Sequence, residues 1–141
     1  MHTYPHPPFK IGGGHISQDY SARHKAKDIT HRDDAPDTVY AIENCTVTGV
    51  QSGKNEGDGE PNLVIVKDGV GNLTIYAHVD PSVDVGDYVT QGSPIGTADM
   101  SGASDGVHVH LVRMSAGPGT VEEVMTRVHM AVNYRIHLLA W

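Results

Sequence analysis

Five residues in three short segments could carry chemistry, because imidazole and carboxylate groups bind metal ions and move protons. The segments are His24-Lys-Ala-Lys-Asp28, Tyr76-Ala-His78 and His108-Val-His110. Alternate residues of a strand point to the same face, so we expect His108 and His110 to lie side by side. A spacing of four puts His24 and Asp28 on one face of a helical turn, and also on one face of a strand because four is even.

A hydrolytic zinc site needs three protein ligands and one open position for water. His24, Asp28 and one histidine of the 108/110 pair supply that number, and this mixture of donors suits Zn²⁺. The pKa of water bound at such a site falls to about 7, which makes it a nucleophile. His78 and the other histidine of the pair would then steer the water or stabilise the tetrahedral oxyanion. By its spacing Tyr76 faces the same side as His78, and packing is its expected role.

Strand signals dominate the segments that must position these residues. Runs of β-branched and apolar residues predict strands over Ile16–Tyr20, Val39–Ile42, Thr46–Val50, Leu63–Lys67, Leu73–His78 and His108–Met114. Turn residues between them, such as Asp68-Gly-Val-Gly-Asn72, indicate hairpins. The expected fold is mainly β, an antiparallel sheet with a substrate groove and a C-terminal helix.

The predicted helix begins after Thr120, which with Glu123 forms a capping box. Apolar residues follow helical spacing from Val121 to Ile136, and packing of this stripe on the sheet is favoured over a partner-binding or dimer helix. Three prolines near the start of the chain exclude a helix there and predict an extended arm. The predicted division is arm, β domain and C-terminal helix, at residues 1–14, 15–118 and 119–141.

Composition narrows the class of protein. A chain of 141 residues most simply forms one domain with one core. The net charge of −7 and the lack of a basic cluster argue against nucleic acid as the main partner. The single cysteine, Cys45, excludes an intrachain disulfide, and its strand-like surroundings predict a buried structural thiol. Stability must then come from the core, and a bound metal would add to it.

No apolar run is long enough for a transmembrane helix, and the first residues lack the apolar core of a signal peptide. We therefore expect a protein that works where it is made, one that leaves the cell by another route, or a domain cut from a longer chain.

The three segments stand in a fixed order with a glycine framework, Val85-Gly-Asp-x-Val-x-x-Gly-x-x-Ile-Gly96, between the second and the third. This ordered set resembles peptidase family M23, the zinc endopeptidases of the lysostaphin and LytM type, over residues 15–114. The resemblance implies a LytM-like fold and an enzyme that cuts peptide bonds in bacterial peptidoglycan, in stem-peptide cross-links or glycine bridges.

Carried over residue by residue, the resemblance makes His24, Asp28 and His110 the zinc ligands, and His78 and His108 the catalytic pair. The chain departs from the family at Ala26, where Gly is usual, so the local backbone is expected to differ because Ala disfavours a positive φ. The segment before His24 and the helix after Gly119 also differ from the usual core. None of these departures removes a predicted ligand, and we expect activity.

Two other functions are open to the same residues. A non-catalytic, zinc-stabilised wall-binding or scaffold module would usually close its metal with four protein ligands, often cysteines, whereas three are in register here. Residues 83–96 also resemble the half-barrel of biotinyl and lipoyl carriers, but no lysine follows Lys67 to carry the modification. With no signal peptide, the expected source is a phage-released or virion-associated lysin, or a domain of a larger secreted protein.

Overall fold

The computed structural model describes residues 2–4, 15–18, 21, 23–24, 26–30, 37–102, 107–127 and 136–138. Its elements are β1 His2–Tyr4, β2 His15–Gln18, β3 Lys27–Thr30, β4 Thr38–Tyr40, β5 Cys45–Gln51, β6 Leu63–Lys67, β7 Leu73–Ala77, β8 Val79–Pro81, β9 Tyr88–Val89, β10 Pro94–Ala98, β11 Val109–Met114, α1 Val121–Arg127 and β12 Ile136–Leu138. No helix in these ranges has the length and apolar character that a membrane span requires.

Most strands belong to one antiparallel sheet of seven, in the order β2-β3-β11-β7-β6-β5-β9. A smaller antiparallel sheet has the order β4-β10-β8, and β1 pairs in parallel with β12. The prediction of a mainly antiparallel β fold with a C-terminal helix is confirmed, while the substrate groove stays a prediction.

The central hairpin, β6 and β7, forms because its residues are apolar and its turn has the right chemistry. Asp68 begins the turn: one oxygen of its carboxylate accepts the backbone N–H groups of Val70 and Asn72. Gly71 adopts a positive φ of 93°, which glycine tolerates without steric cost. Every residue of β7 is buried, because both faces of the sheet are covered at its centre.

The two faces of the large sheet support two separate cores. The helix-side core contains Ala26, Leu63, Ile65, Leu73, Ile75, Val112, Met114 and Val124. The second core lies on the opposite face, toward the small sheet, and includes Ile29, Val39, Tyr76, Val79, Ile95, Val109 and Leu111. The side chains of β11 point alternately to the two cores. His110 is two residues before Val112, which belongs to the helix-side core, so His110 lies on the helix side of the sheet.

Gly96 and Gly119 allow close approaches that hold these layers together. A Cβ on Gly96 would lie 2.3 Å from the carbonyl oxygen of Asp80, where β10 pairs with β8. A Cβ on Gly119, whose φ is +75°, would lie 2.3 Å from Oγ1 of Thr48. A larger residue at position 96 would therefore push β10 away from β8. A larger residue at position 119 would displace the segment that leads to α1.

Helix α1 begins where the sequence predicts. The Thr120 hydroxyl accepts the backbone N–H of Glu123, and the buried Val124 places one face of the helix in the helix-side core.

The helical spacing to Ile136 is misleading, however, because Ile136–Leu138 form a strand. Apolar residues at positions 136 and 138 also fit a period of two, and strand pairing with β1 satisfies their backbone. The three-part division of the chain stays a prediction, since residues 5–14 and 128–135 lie outside the described ranges.

Candidate metal centre

Strand pairing brings together two of the predicted metal-binding residues that are far apart in the chain. β3 and β11 are antiparallel neighbours, and their register places His110 directly opposite Asp28. His24 precedes β3 in a tight turn, where the Ser21 hydroxyl accepts the backbone N–H groups of Arg23 and His24. The turn holds His24 beside the carboxylate of Asp28, the second residue of β3.

Asp28 is the centre of the resulting group. Its Oδ1 lies 2.7 Å from Nδ1 of His110, and its Oδ2 lies 3.2 Å from Nε2 of His24. The donor atoms of the three residues all lie within 4.8 Å of one another. One carboxylate and two imidazoles at this separation fit a single divalent ion of the Zn²⁺ type.

The electrostatics of Asp28 also suit a cation. Burial would raise the pKa of the Asp28 carboxyl, but the hydrogen bond and charge of His110, with smaller contributions from His108 and His24, lower it below its usual value. The carboxylate is therefore charged at neutral pH and presents a negative group to the imidazoles around it.

Ala26, the departure from the M23 pattern, is accommodated in the helix-side core. Its side chain is 2% exposed, and its φ is not positive. The backbone between His24 and Asp28 is thus compatible with alanine, and the change does not separate the two predicted ligands.

His78 reaches the same group by an unusual backbone conformation. In strict alternation it would share a face with Tyr76, which is fully buried in the core on the opposite side from His110. His78 instead has a φ of +63°, and its ring lies with those of His108 and His110, at centroid distances of 4.8 and 5.9 Å. The expectation that Tyr76 and His78 face the same side is wrong, because the left-handed residue ends the period of two. Tyr76 does pack, and its hydroxyl accepts the backbone N–H of Ile42.

The ring of His78 is held in one orientation. Its Nδ1 lies 2.7 Å from the carbonyl oxygen of Ser101, and since a carbonyl only accepts, Nδ1 carries a proton and donates it. In the neutral ring the lone pair is then on Nε2. Burial lowers the pKa of His78, although the Ser101 carbonyl opposes that change. The ring is therefore neutral near pH 7 and can accept a proton at Nε2.

His108 is the fifth predicted residue, and its ring lies next to the ring of His78. Its Nε2 lies 3.7 Å from Oδ1 of Asp28, farther than the nitrogens of His24 and His110. His78, His108 and His110 form a second set whose donor atoms lie within 4.8 Å, but that set has no carboxylate. The structure thus brings all five predicted residues together, and we call His24, Asp28, His78, His108 and His110 the histidine cluster.

Three residues that support this cluster were missed in the sequence. Asn62 and Ser101 are buried, and both contact the Asp99 carboxylate close to His78. Their spacing in the chain follows no period, since Asn62 lies 37 residues from Asp99. The only available signal was a polar asparagine at the start of an apolar strand.

Cys45 lies apart from the histidine cluster and is buried. Burial raises the pKa of its thiol to about 12, so the prediction of a structural thiol is confirmed.

The chain resembles known proteins in its sequence and in its fold. The model of the family described as Peptidase family M23 matches residues 22–124, more than half of the chain. A mutant catalytic domain of the prophage-encoded M23 protein EnpA from Enterococcus faecalis matches with a TM-score of 0.66 and 25% identity, covering 82% of this chain and 90% of that chain. The catalytic domain of lysostaphin from Staphylococcus simulans matches with a TM-score of 0.54 and 26% identity, covering 91% of this chain and 90% of that chain.

A zinc-containing peptidase from Vibrio cholerae has a similar fold, with a TM-score of 0.64 and 21% identity over 79% of this chain. The chain spans 36% of the length of that peptidase. No curated protein sequence matches the chain significantly.

Proposed function

The chain belongs to peptidase family M23, and on that premise we propose that it is a zinc-dependent endopeptidase that hydrolyses peptide bonds in bacterial peptidoglycan. The observation that carries the proposal is the position of the Asp28 carboxylate, which lies between His24 and His110 with two further histidines beside it. A surface cluster of unrelated histidines would have no reason to converge on one half-buried carboxylate.

In this proposal His24, Asp28 and His110 hold the zinc ion. Two imidazoles and one carboxylate are three protein ligands, the number that leaves a position open for water in hydrolytic sites. When bound, Zn²⁺ supplies Lewis acidity that activates water for attack on the scissile carbonyl.

His78 is the proposed proton carrier. Its Nδ1–H is occupied by the Ser101 carbonyl, so Nε2 of the neutral ring accepts the proton that the attacking water releases. The same nitrogen then returns that proton to the leaving amine nitrogen, which restores the neutral ring. The lowered pKa of His78 supports this role, because the ring is ready to accept a proton at neutral pH.

His108 is the proposed partner of His78. Its ring lies 4.8 Å from the ring of His78 and is only partly exposed, with 17% of the side chain accessible. A hydrogen bond from its imidazole N–H to the oxygen of the tetrahedral intermediate would stabilise charge that develops only in the transition state. His78 and His108 thus act on the reacting groups without binding the metal.

The substrate is proposed from the family and from the likeness to lysostaphin, described as an antimicrobial peptidase. The likeness to a prophage-encoded M23 protein supports a phage-type lysin, with a bacterial wall enzyme as the other source. Either would act at the cell wall on the peptide part of peptidoglycan.

Digestion of purified peptidoglycans that differ in their cross-links tests the proposal. We expect the zinc-loaded protein to release fragments whose masses show a cut peptide bond in the cross-link or stem, and His108→Ala to release almost none. Cut glycan strands would contradict the endopeptidase assignment. Binding to the wall without any cleavage would favour the scaffold module instead.

A further inference from the structure

Asn62, Asp99 and Ser101 form a compact hydrogen-bonded group next to His78. One oxygen of the Asp99 carboxylate accepts both the backbone N–H and the hydroxyl of Ser101. The other oxygen accepts the Asn62 side-chain amide at 2.8 Å. The Ser101 hydroxyl oxygen in turn accepts the backbone N–H of Asn62 at 2.9 Å. Asp99 therefore adds side-chain hydrogen bonds between two segments of the chain that also meet through the bond from Asn62 to Ser101.

These same residues hold His78 at its backbone N–H, its backbone carbonyl and its ring Nδ1. The backbone N–H of His78 donates to the Asn62 carbonyl at 2.9 Å, and its own carbonyl accepts the backbone N–H of Asp99 at 2.8 Å. Its ring Nδ1 donates to the Ser101 carbonyl at 2.7 Å. Each residue that the Asp99 carboxylate binds is thus a residue that binds His78.

We propose that Asp99 is a positioning residue for His78. Its carboxylate fixes the Ser101 carbonyl and the Asn62 backbone, and these hold the His78 ring with Nδ1 protonated and Nε2 turned to the reaction.

The backbone of His78 explains why such a clamp is needed. A non-glycine residue with φ of +63° is in a sparsely populated conformation, which persists only where its surroundings hold it. Without that conformation the side chain would return to the opposite face of the sheet. The three hydrogen bonds to His78 oppose that change, and they are made by Asn62, Asp99 and Ser101. The Asp99 carboxylate binds two of these residues, Asn62 and Ser101.

This inference rests on the proposed function, because a positioning role requires that His78 act in catalysis. The first test compares Asp99→Ala with Asp80→Ala in the zinc-loaded protein. Asp80 is an exposed carboxylate on β8, two residues after His78, so both variants remove one acidic group from the same region. We expect Asp99→Ala to lower kcat on a cross-link peptide about 10- to 100-fold, with KM and zinc content unchanged. We expect Asp80→Ala to match the wild type.

An unchanged kcat in Asp99→Ala would overturn the proposal, as would an equal loss in Asp80→Ala. Where Asp99→Ala fails to fold, Asp99→Asn replaces it. That variant keeps an oxygen for Ser101 but presents an NH₂ group to the Asn62 amide, and a smaller loss of kcat is expected.

A spectroscopic readout separates positioning from general stability. Nitrogen-15 NMR of the imidazoles should show a wild-type His78 with its proton on Nδ1 and in slow exchange with water. In Asp99→Ala that proton should exchange faster and the ring should populate both tautomers, while Asp80→Ala retains the wild-type signal. An unaltered tautomer and exchange rate in Asp99→Ala would overturn the proposal even if kcat falls.

A double-mutant cycle tests whether Asp99 acts through His78. Asparagine tolerates a left-handed backbone, so His78→Asn removes the imidazole with little change in the strand ending. We expect Asp99→Ala to lower kcat in the wild-type background and to have no further effect in His78→Asn. A full additional loss in the double variant would contradict the assignment to His78. A fully active His78→Asn would instead refute the catalytic role proposed above, whereas an inactive His78→Asn with a fully active Asp99→Ala would refute only the positioning role.

Discussion

Two polar clusters lie on opposite faces of the large sheet and share strand β11, and they differ in exposure and in the chemistry of their side chains. The histidine cluster lies on the helix side, and the side chain of His110 within it is 28% exposed. The second cluster, which we call the arginine cluster, consists of Arg113, Glu43, Asp68 and Thr74. The side chain of Arg113 is 5% exposed, and its guanidinium lies 2.5 Å from Glu43 and 2.6 Å from Asp68.

The arginine cluster is built from permanent charge. Arginine stays protonated at any physiological pH, and here it also donates to the Thr74 hydroxyl. Burial raises the pKa of Glu43 in spite of Arg113. Burial also opposes ionisation of Asp68, but backbone N–H groups of Asn72 and Val70, together with Arg113, lower its pKa. Such a group stabilises one packing arrangement and offers no nitrogen that can gain and lose a proton.

The histidine cluster has the opposite character. It sets four imidazoles around one carboxylate, so its members can bind a metal or transfer a proton near neutral pH. Its partial exposure lets a substrate approach. One strand thus carries a proposed metal ligand on one face and a buried ion-pair network on the other, because alternate residues of β11 reach different environments.

Loss of Asp28 should have the largest effect and should affect the histidine cluster alone. We expect Asp28→Ala and His110→Ala to lose bound zinc and all measurable cleavage, since even outer-shell partners of metal ligands cost about 10- to 100-fold in affinity. Metal analysis of the purified variants checks this. Asp68→Ala is the matched control from the other face and should keep one zinc per chain. Full zinc occupancy in both Asp28→Ala and His110→Ala would refute the ligand assignment.

Loss of Arg113 should have the next largest effect, on stability alone. Arg113→Met leaves Glu43 and Asp68 nearly buried without a cation, which costs about 3–5 kcal/mol in comparable buried pairs. The urea midpoint should fall accordingly, and zinc content and kcat should stay at wild-type values under conditions where the variant is folded. Arg113→Met/Glu43→Leu should recover part of the loss, because it also removes an unpaired carboxylate. A stable but inactive Arg113→Met would show that the two clusters are coupled.

Loss of His78 or of His108, the proposed catalytic pair, should reduce the rate of cleavage without affecting zinc content or folding. We expect His108→Ala and His78→Asn to lower kcat by about 10²- to 10³-fold, the usual cost of one lost transition-state contact. Zinc content and the thermal midpoint should stay close to those of the wild type. Turnover near the wild-type rate in either zinc-loaded variant would show that the catalytic pair is misassigned.

The smallest effect expected is a difference between the pH at which activity is lost and the pH at which the protein unfolds. Since the pKa of His78 lies below its usual value of 6.5, the neutral ring persists to lower pH, and kcat should fall only below that value. The lowered pKa values of Asp28 and Asp68 contribute stability that is present above about pH 4 and is lost as the pH falls through the lowered values. As the pH is lowered, cleavage should therefore be lost at a higher pH than the one at which the protein unfolds.

Rates measured against pH, with zinc content and circular dichroism at each point, check this order. Loss of activity that begins above pH 6.5, or that coincides with unfolding, would contradict it.

Much of the histidine cluster was predictable because its information is local. The spacing of His24 and Asp28, and of His108 and His110, needs only the period of a strand. Turn residues such as Asp68 and Gly71 end one strand and begin the next by their own backbone preferences. Glu123 and Thr120 likewise mark the start of α1 through a hydrogen bond within one turn. These features indicated the fold class and the two residue pairs in advance, while the resemblance to family M23 assigned a role to His78 and divided the five residues into ligands and a catalytic pair.

The remaining features depend on contacts between distant parts of the chain. His110 meets Asp28 across 82 residues through strand register, and no local pattern specifies which strands are neighbours. His78 joins the cluster only because a left-handed residue breaks the alternation that the sequence predicts. The partners of Arg113 and Asp99, and the end of the helical stripe in a strand at Ile136, were also set by pairing across the fold. A period describes one element by itself, whereas the free energy of these contacts is gained only when several elements pack together.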